Sequence, residues 1–374
     1  MSESDLPEAD RVDGAPHPRE TLQLFGQEDA ETEALSALTS GRMHHAWLMT
    51  GPKGVGKATL AWRMARFLVS GAADTKETGL FGEPPAPTTL DISPDHPVAH
   101  RMLALSEPGL LLIRRAWDAD KKRLKAQITV DEVRKLNSFF GLSAAEGGKR
   151  VVIVDSADEM NSSAANALLK VLEEPPKDAV LLLISHQPAR LLPTIRSRCR
   201  EFRLSPLPPE ALSKALAQAG AEVEDIAALT TLSGGSAGEA LDLLQNEGLA
   251  LYVRLVALLA TCPRLDRQQA TSLAEYVSQR GKETRLDLLQ RLLMTFLARL
   301  ARTGAGHPPE TDATPGEIQV LSRLAPHARA AQQWAGLAQD LTSRLSHGRG
   351  VNIDPQSLII DAFLQINAVA EGQS

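Results

Sequence analysis

Unbroken apolar runs alternate with amphipathic segments through the first half of the chain. Four runs are almost free of polar residues, and they cover Ala46–Met49, Leu110–Ile113, Val151–Val154 and Ala179–Ser185. Runs of this kind are typical of strands in a parallel sheet that is covered on both faces. Between them, apolar residues recur at helical spacing, as over 164–172. The alternation predicts a doubly wound, mostly parallel α/β domain over residues 19–205.

The strand pattern stops at Pro206-Leu207-Pro208-Pro209, and helical patterns continue from there. Residues 206–248 predict a small bundle of about three helices, and residues 249–374 predict a larger all-helical domain. The pair Asp354-Pro355 predicts the start of a final helix, with an N-cap followed by proline at the first helical position. One face of a long helix is predicted to carry Leu286, Leu289, Leu293, Phe296 and Leu300.

Three segments lack a clear periodicity. Residues 1–18 are polar and acidic, which predicts a disordered tail. Residues 71–110 are irregular and rich in Gly and Pro, which is typical of a functional loop or a family-specific insertion. Residues 114–125 carry six cationic side chains; a solvated hairpin tip is favoured over a nucleic-acid contact.

Composition narrows the class of protein. A hydrophobic share of 43% with 23% charged residues is ordinary for a soluble globular chain. The net charge of −6 argues against a protein that coats nucleic acid on its own. Two cysteines, Cys199 and Cys262, exclude a disulfide framework and a cysteine-based zinc site. Because neither a signal peptide nor a membrane-length apolar run is present, we expect a cytoplasmic protein.

The strongest chemical motif is Gly51-Pro52-Lys53-Gly54-Val55-Gly56-Lys57, which follows a predicted strand and precedes a predicted helix. That context is the one a phosphate-binding loop requires, since backbone N–H groups and a helix N-terminus then surround the anion. Lys57 adds a positive charge at the terminal phosphates. The predicted nucleotide-binding residues are Gly51, Gly54, Val55, Gly56, Lys57, Ala58, Thr59 and Asp155.

Two groups that ATP hydrolysis needs are missing. Ala58 stands where Ser or Thr would bind Mg²⁺, and Thr59 lies about 100° further around the helix, so it cannot substitute. Asp155 ends its strand where the metal-organising acid belongs, but Ser156 stands where a catalytic Glu would follow. We therefore expect little or no hydrolysis, because each missing group costs several kcal/mol of barrier.

Other polar residues near the strand ends have simpler interpretations. Asp158 and Glu159 are expected to cap the helix that begins near Asn161. Ser185 follows the next strand, where it either hydrogen-bonds a phosphate or a water or merely ends the strand. His96 and His100 have helical metal-binding spacing but no further ligands, so no metal site is expected.

The turn Arg196-Ser197-Arg198-Cys199-Arg200 lies at the predicted edge of the α/β domain. A planar, permanently charged guanidinium suits an arginine finger that reaches into a neighbouring subunit's phosphate site. The alternative is an ordinary basic turn at the surface, since exposed arginines are common.

Four motifs in this order resemble the clamp-loader branch of the AAA+ proteins, which serves bacterial DNA polymerase III. They are Leu24-Phe25-Gly26-Gln27, the loop at 51–57, the run from Asn166 to Pro176 and Ser197-Arg198-Cys199. The resemblance covers residues 20–370. It implies an AAA+ phosphate-loop domain, a helical lid at 206–248 and an oligomerising collar at 249–374.

The resemblance also implies partners and roles. Such loaders are pentameric rings that use ATP to open a sliding clamp and place it on primed DNA. The implied partners are the gamma/tau and delta subunits, the clamp and, through the assembly, primer-template DNA. Arg198 is implied to complete a neighbour's ATP site in trans. The chain would be an accessory subunit of a DNA-directed DNA polymerase, a nucleotidyltransferase, and would not polymerise or hydrolyse ATP alone.

Departures from the family pattern favour a non-hydrolysing, stator-like subunit. Gly238 stands where the motor subunits carry a lid arginine, and residues 71–110 lack the four cysteines of the family's zinc module, so no zinc is predicted. ATP is expected to bind weakly, if at all. Lys57 and Asp155 keep an active, gamma/tau-like motor as the alternative. An unrelated nucleotide kinase would leave the arginine turn and the helical C-terminal third unexplained.

Overall fold

The computed structural model of the protein describes residues 7–40, 43–73, 87–141, 148–279, 283–351 and 353–372. The chain divides into two compact units. The first comprises Met1–Gly220 with Ser236–Gly238, and the second comprises Ala221–Gly235 with Glu239–Ser374. This division cuts through the predicted 206–248 segment, and the three-domain organisation stays a prediction.

The first unit is built on a five-stranded parallel sheet in the order β2-β5-β6-β1-β7. The three central strands of this order are apolar and almost wholly buried, as the unbroken runs predict, whereas β2 is half-buried and β7 is charged and mostly exposed. The predicted doubly wound, parallel α/β fold is therefore confirmed. The strands are β1 Ala46–Thr50, β2 Leu110–Arg114, β5 Arg150–Asp155, β6 Ala179–Ile184 and β7 Arg200–Arg203.

Alternate residues of each strand point to opposite helical layers. In β6, Val180 and Leu182 pack into one core and Leu181 and Leu183 into the other. One layer contains α1 Glu28–Thr39, α2 Lys57–Val69 and α3 Pro97–Leu103, and the other contains α4 Val130–Gly141, α5 Ser162–Glu173 and α6 Pro193–Arg196. Because all five strands are parallel, their carboxyl ends meet at one edge of the sheet, which is where ligands bind in such folds.

A short antiparallel ladder occupies the cationic stretch at 114–125. It pairs β3 Trp117–Asp118 with β4 Arg123–Leu124, so the predicted hairpin is confirmed. The last helix of the first unit is α7 Pro209–Gln218.

The interpretation of residues 1–18 as a disordered tail is wrong for residues 7–18; residues 1–6 lie outside the described ranges. His17 is fully buried, and its Nε2 lies 3.1 Å from a carboxylate oxygen of Asp10. Glu8 accepts hydrogen bonds from Arg19 (2.7 Å) and Arg114 (3.0 Å). Arg114 is a distant partner that local composition does not reveal, which is why the polar sequence was misread.

The 71–110 segment is less irregular than its composition predicts. Residues 74–86 lie outside the described ranges, but α3 Pro97–Leu103 was missed. His96 caps this helix, with its Nδ1 accepting a hydrogen bond from the N–H of Val98 at 3.2 Å. The spacing of His96 and His100 therefore reflects a helix start.

Every regular element that the structure describes in the second unit is a helix. Leu286, Leu289, Leu293, Phe296 and Leu300 are all buried, as predicted. Asp354 caps the last helix by accepting from the N–H of Ser357 at 2.9 Å. No helix among the described residues is both long and apolar enough to span a bilayer. The helices are α8 Ile226–Ser233, most of α9 Ala237–Gln245, α10 Gly248–Leu259, α11 Arg267–Val277, α12 Glu283–Gly304, α13 Glu317–Leu324, α14 Ala328–Gly350 and α15 Pro355–Glu371.

A buried carboxylate, Glu317, joins three parts of this helical unit. Its oxygens accept from the Tyr252 hydroxyl at 2.5 Å, from Arg299 Nε at 2.7 Å and Nη2 at 3.0 Å, and from the N–H of Ala313 at 2.7 Å. Glu317 is 0% exposed, so its charge depends wholly on these partners.

We predict that Glu317→Ala lowers the free energy of unfolding by about 3 kcal/mol, because it leaves the Arg299 charge and a buried hydroxyl without their acceptor. Denaturant unfolding measures the change. The exposed Glu310→Ala is the matched control and should stay within about 0.5 kcal/mol of the parent. Equal effects of the two substitutions would contradict this assignment.

Candidate functional site

The glycine-rich loop lies between β1 and α2, as the sequence predicts. Gly54 and Gly56 adopt φ values of +77° and +100°, a region that side chains with a Cβ rarely occupy. A Cβ on Gly54 would also lie 2.3 Å from the hydroxyl oxygen of Ser236. Gly56 immediately precedes α2, so the loop opens directly onto a helix N-terminus.

Lys57 is the first residue of α2 and is 2% exposed. Its Nζ donates to the carbonyl oxygen of Gly51 at 2.7 Å and to that of Pro52. Burial lowers the pKa of Lys57 to about 8, and the negative charges of Asp155 and Asp158 oppose that shift. At neutral pH most of the ammonium therefore remains charged and available to an anion.

Gln27, from the predicted motif 24–27, fixes the loop to the sheet. Its Nε2 donates to the carbonyl oxygen of Val55 at 3.1 Å and to that of Ser205 at 2.7 Å. Its Oε1 accepts from the N–H of Ser205 at 3.3 Å. One side-chain amide thus ties the middle of the phosphate loop to the chain just after β7, which makes the loop part of the folded core.

Asp155 ends β5 at the same edge and is 7% exposed. Burial and the nearby charge of Asp10 raise the pKa of Asp155 to about 7, against a hydrogen bond from Ser156 and the charge of Lys57. The Ser156 hydroxyl donates to Asp155 Oδ1 at 3.0 Å. A carboxyl that is about half protonated at neutral pH is a weak ligand for a metal ion.

His186 belongs to this edge, and sequence reasoning missed it. Its ring Nε2 lies 2.9 Å from the Ser156 hydroxyl oxygen, and its backbone N–H donates to Asp158 Oδ1 at 2.9 Å. Because the Ser156 hydroxyl donates its hydrogen bond to Asp155, the imidazole Nε2–H donates to the Ser156 oxygen. Burial and the charge of Lys57 lower the pKa of His186 to about 4, so the ring is neutral. The signal for it was its place directly after the buried strand β6 and Ser185.

Ser185 and Asp158 also face the interior. Ser185 is fully buried, and its hydroxyl oxygen has no hydrogen-bond partner within the described part of the chain. The capping interpretation of Asp158 and Glu159 is wrong. Asn161 caps α5 by accepting from the N–H of Ala164 at 2.8 Å, and Glu159 pairs with Arg115 at 2.6 Å. Asn161 immediately precedes α5, so its amide oxygen reaches the free N–H groups of the first turn.

The positions that lack catalytic groups converge on the loop. Ala58 packs its methyl group against the core beside α2, and Thr59 is half-buried one residue on. Gly238 also lies next to the loop, since the preceding residue, Ala237, donates its backbone N–H to the carbonyl oxygen of Gly54 at 3.0 Å. A methyl group, a glycine and Ser156 thus stand where a hydrolytic site would have a hydroxyl, a cation and an acid.

Arg198 lies apart from these residues, just after α6. Its Nη1 donates to the carbonyl oxygen of Thr194 at 3.0 Å, and its Nη2 pairs with Glu173 Oε1 at 2.8 Å. Its side chain is 35% exposed. Neither partner belongs to the phosphate loop, so the guanidinium serves no role there within this chain.

The chain is similar in sequence to subunits of DNA polymerase III. The family described as "DNA polymerase III, delta subunit" matches residues 26–208. "DNA polymerase III subunit delta'" of Pseudomonas aeruginosa is 39% identical over 211 residues, which span 54% of this chain and 57% of that protein. The protein of the same name in Escherichia coli is 29% identical over 89% of this chain and 91% of its own length. "DNA polymerase III subunit tau" of Escherichia coli is 30% identical over 73% of this chain and 40% of its own length.

The raised pKa of Asp155 predicts a pH-dependent stability. Between about pH 4 and pH 7 the folded state binds the proton that the unfolded state has released, so stability falls as pH rises through this window. Asp155→Asn removes that loss. At pH 8 it should raise the free energy of unfolding by at least about 1 kcal/mol, since one pKa unit corresponds to about 1.4 kcal/mol.

Denaturant unfolding at pH 4 and pH 8 tests this prediction, with the exposed Asp120→Asn as the matched control. The gain from Asp155→Asn should shrink toward zero at pH 4. A variant that is less stable than the parent at pH 8 would mean that the charged carboxylate stabilises the fold.

Proposed function

Because this chain is a homologue of the delta-prime and gamma/tau subunits of DNA polymerase III, and thus a clamp-loader-type subunit, we propose that it is the stator-like delta-prime subunit of the loader. In this role it supports ATP-driven loading of the sliding clamp onto primed DNA and hydrolyses little or no ATP itself. The proposed partners are gamma/tau and delta subunits in a heteropentameric ring, the clamp, and primer-template DNA reached through the assembly.

One observation carries the proposal: the acid–hydroxyl pair at the end of β5. In a hydrolysing site the residue after the metal-organising acid is a carboxylate that orients water. Here the Ser156 hydroxyl instead donates a hydrogen bond to Asp155, and its oxygen lies in hydrogen-bond contact with the neutral imidazole of His186. Neither group is a strong base near neutral pH, so no side chain at this position accepts a proton from an attacking water.

The metal site is equally poor. Mg²⁺ requires hard oxygen ligands in octahedral geometry, and the loop supplies the methyl group of Ala58 where a hydroxyl would bind. Asp155, with a pKa of about 7, is half-neutralised under working conditions. ATP bound here would therefore rest on Lys57 and the backbone N–H groups of the loop, with weak affinity and no efficient hydrolysis.

Arg198 is the residue proposed to act in catalysis, in the neighbouring subunit's ATP site. A guanidinium offers five donors in a rigid fork that matches phosphate oxygens. Within this chain the Arg198 side chain is about one-third exposed and forms an ion pair with Glu173. A phosphate group could take the place of Glu173 at little cost, because exposed ion pairs are weak. The helices over 206–248 and 249–374 are proposed as lid and ring-forming collar, respectively.

An active motor, gamma/tau-like, is the second candidate. Two observations favour it: Lys57 and Asp155 occupy the loop and the strand end, and a tau subunit is among the relatives. Hydrolysis by the chain alone separates the two functions.

For the stator role we expect the purified chain to hydrolyse ATP no faster than its Lys57→Ala variant, with Mg²⁺ present. Steady-state phosphate release measures both. Turnover that Lys57→Ala abolishes would refute the stator role and support the motor.

For the trans role we expect Arg198→Ala to lower ATP turnover of the reconstituted loader at least about tenfold, since arginine fingers contribute large factors to phosphoryl transfer. Arg196→Ala, an exposed arginine two residues earlier, is the matched control and should keep turnover.

Ring assembly is followed in the same samples by sedimentation. Reduced turnover with intact assembly supports the finger. Equal turnover in Arg198→Ala and the parent would contradict it.

A further inference from the structure

A short N-terminal stretch, residues 8–12, joins the two sides of the candidate site. On one side, Arg114 ends β2 and pairs in register with Asp155 on β5. The Arg114 guanidinium binds Asp10 through Nη1 and Glu8 Oε1 through Nη2 at 3.0 Å. Glu8 and Asp10 are therefore held at the carboxyl edge of the sheet, beside the residue expected to organise a metal.

On the other side, Val12 lies beside Gly238, which packs against Gly54 of the loop. A Cβ on Gly238 would lie 3.5 Å from Val12 Cγ2 and 3.4 Å from the Cα of Gly54. Asp10 and Val12 are two residues apart, so their Cα atoms are within about 7 Å of each other. The stretch thus runs from the residues beside the end of β5 to Gly238, which contacts Gly54 of the phosphate loop.

The stretch is anchored by a buried histidine. His17 is fully buried, with its ring edge against Trp62 of α2 at a centroid distance of 5.9 Å. Its Nδ1 accepts from the N–H of Arg19 at 3.0 Å, so the proton lies on Nε2 and faces Asp10 at 3.1 Å. Arg66 of α2 donates to the carbonyl oxygen of Arg19 at 2.8 Å.

Ion pairs, and not a metal ion, account for this cluster. Glu8, Asp10 and His17 present ligand atoms within 4.8 Å of one another, which is close enough for a cation. The two carboxylates already carry the guanidiniums of Arg19 and Arg114, however. A divalent cation would have to displace both positive charges and bind among them.

We propose that residues 8–12 are a cover built into the chain, which occupies the space over the phosphate loop and which nucleotide phosphates must displace in order to bind. Two features make the cover competitive. Its acidic side chains form ion pairs with Arg19 and Arg114, which a nucleotide must break in order to displace the cover. Its own binding is intramolecular, so a nucleotide competes against a high effective concentration.

The cover goes beyond the proposed function, because missing catalytic groups prevent hydrolysis whether or not the loop is accessible. It has a separate consequence: the phosphate loop is closed by default, even though Lys57 and its N–H groups are intact.

The test is a calorimetric titration of ATP, without Mg²⁺, into four purified proteins. They are the parent chain, a chain that lacks residues 1–13, the double variant Glu8→Gln/Asp10→Asn, and the variant Asp95→Asn. The double variant removes both carboxylate charges and so weakens the ion pairs that hold the cover, and Asp95 is an exposed control. Thermal unfolding of each chain verifies the fold. We expect ATP to bind at least tenfold more tightly to the shortened chain and the double variant than to the parent and Asp95→Asn.

The substitution Lys57→Met in the shortened chain tests whether the additional ATP binds at the phosphate loop. Loss of the added affinity supports the cover, because it puts the ATP on the phosphate loop. Affinity that is the same in the shortened chain, the double variant and the parent overturns the proposal, and so does a gain that survives Lys57→Met. None of these outcomes depends on hydrolysis or on Arg198, so the proposed function and the cover fail separately.

Discussion

A lysine ammonium and a carboxyl group buried at one edge of a parallel sheet constrain the arrangement of this site. Lys57 keeps its charge because the carbonyl oxygens of the curled loop accept from it, and Asp155 is stabilised by the Ser156 hydroxyl. Burial acts on both groups in the same sense, since it disfavours the charged form of each. The site is therefore more neutral than the sequence implies, and its chemistry is correspondingly weak.

The phosphate loop also has a structural role that does not depend on catalysis. Val55 is fully buried, and Gln27 joins the carbonyl oxygen of Val55 to the chain after β7. These attachments hold the loop in place whether or not it serves hydrolysis, in agreement with a well-formed loop beside Ala58 and Ser156.

The same reasoning connects the N-terminal stretch to the proposed role. A subunit that contributes to a neighbour's ATP site needs its own sheet edge to be rigid, and residues 8–19 add ion pairs and a buried histidine to that edge. Arg198, by contrast, has a single exposed ion pair with Glu173, which costs little to exchange. Rigid support and an available guanidinium thus belong to different parts of the first unit.

Local pattern determined the elements of this protein, because strand and helix periodicity is written into neighbouring residues. Four strands of the parallel sheet, the hairpin at 117–124, the loop at 51–57 and the cap at Asp354 all followed from short stretches, whereas β7 did not, because its residues are mostly charged. Tertiary structure decided the partners of polar groups, since those partners are distant in the chain. Arg114 binds Glu8 and Asp10, which lie 106 and 104 residues earlier in the chain. His186 contacts Ser156, which lies 30 residues earlier. Burial, which sets the pKa values of Lys57, Asp155 and His186, exists only once the sheet is covered on both faces.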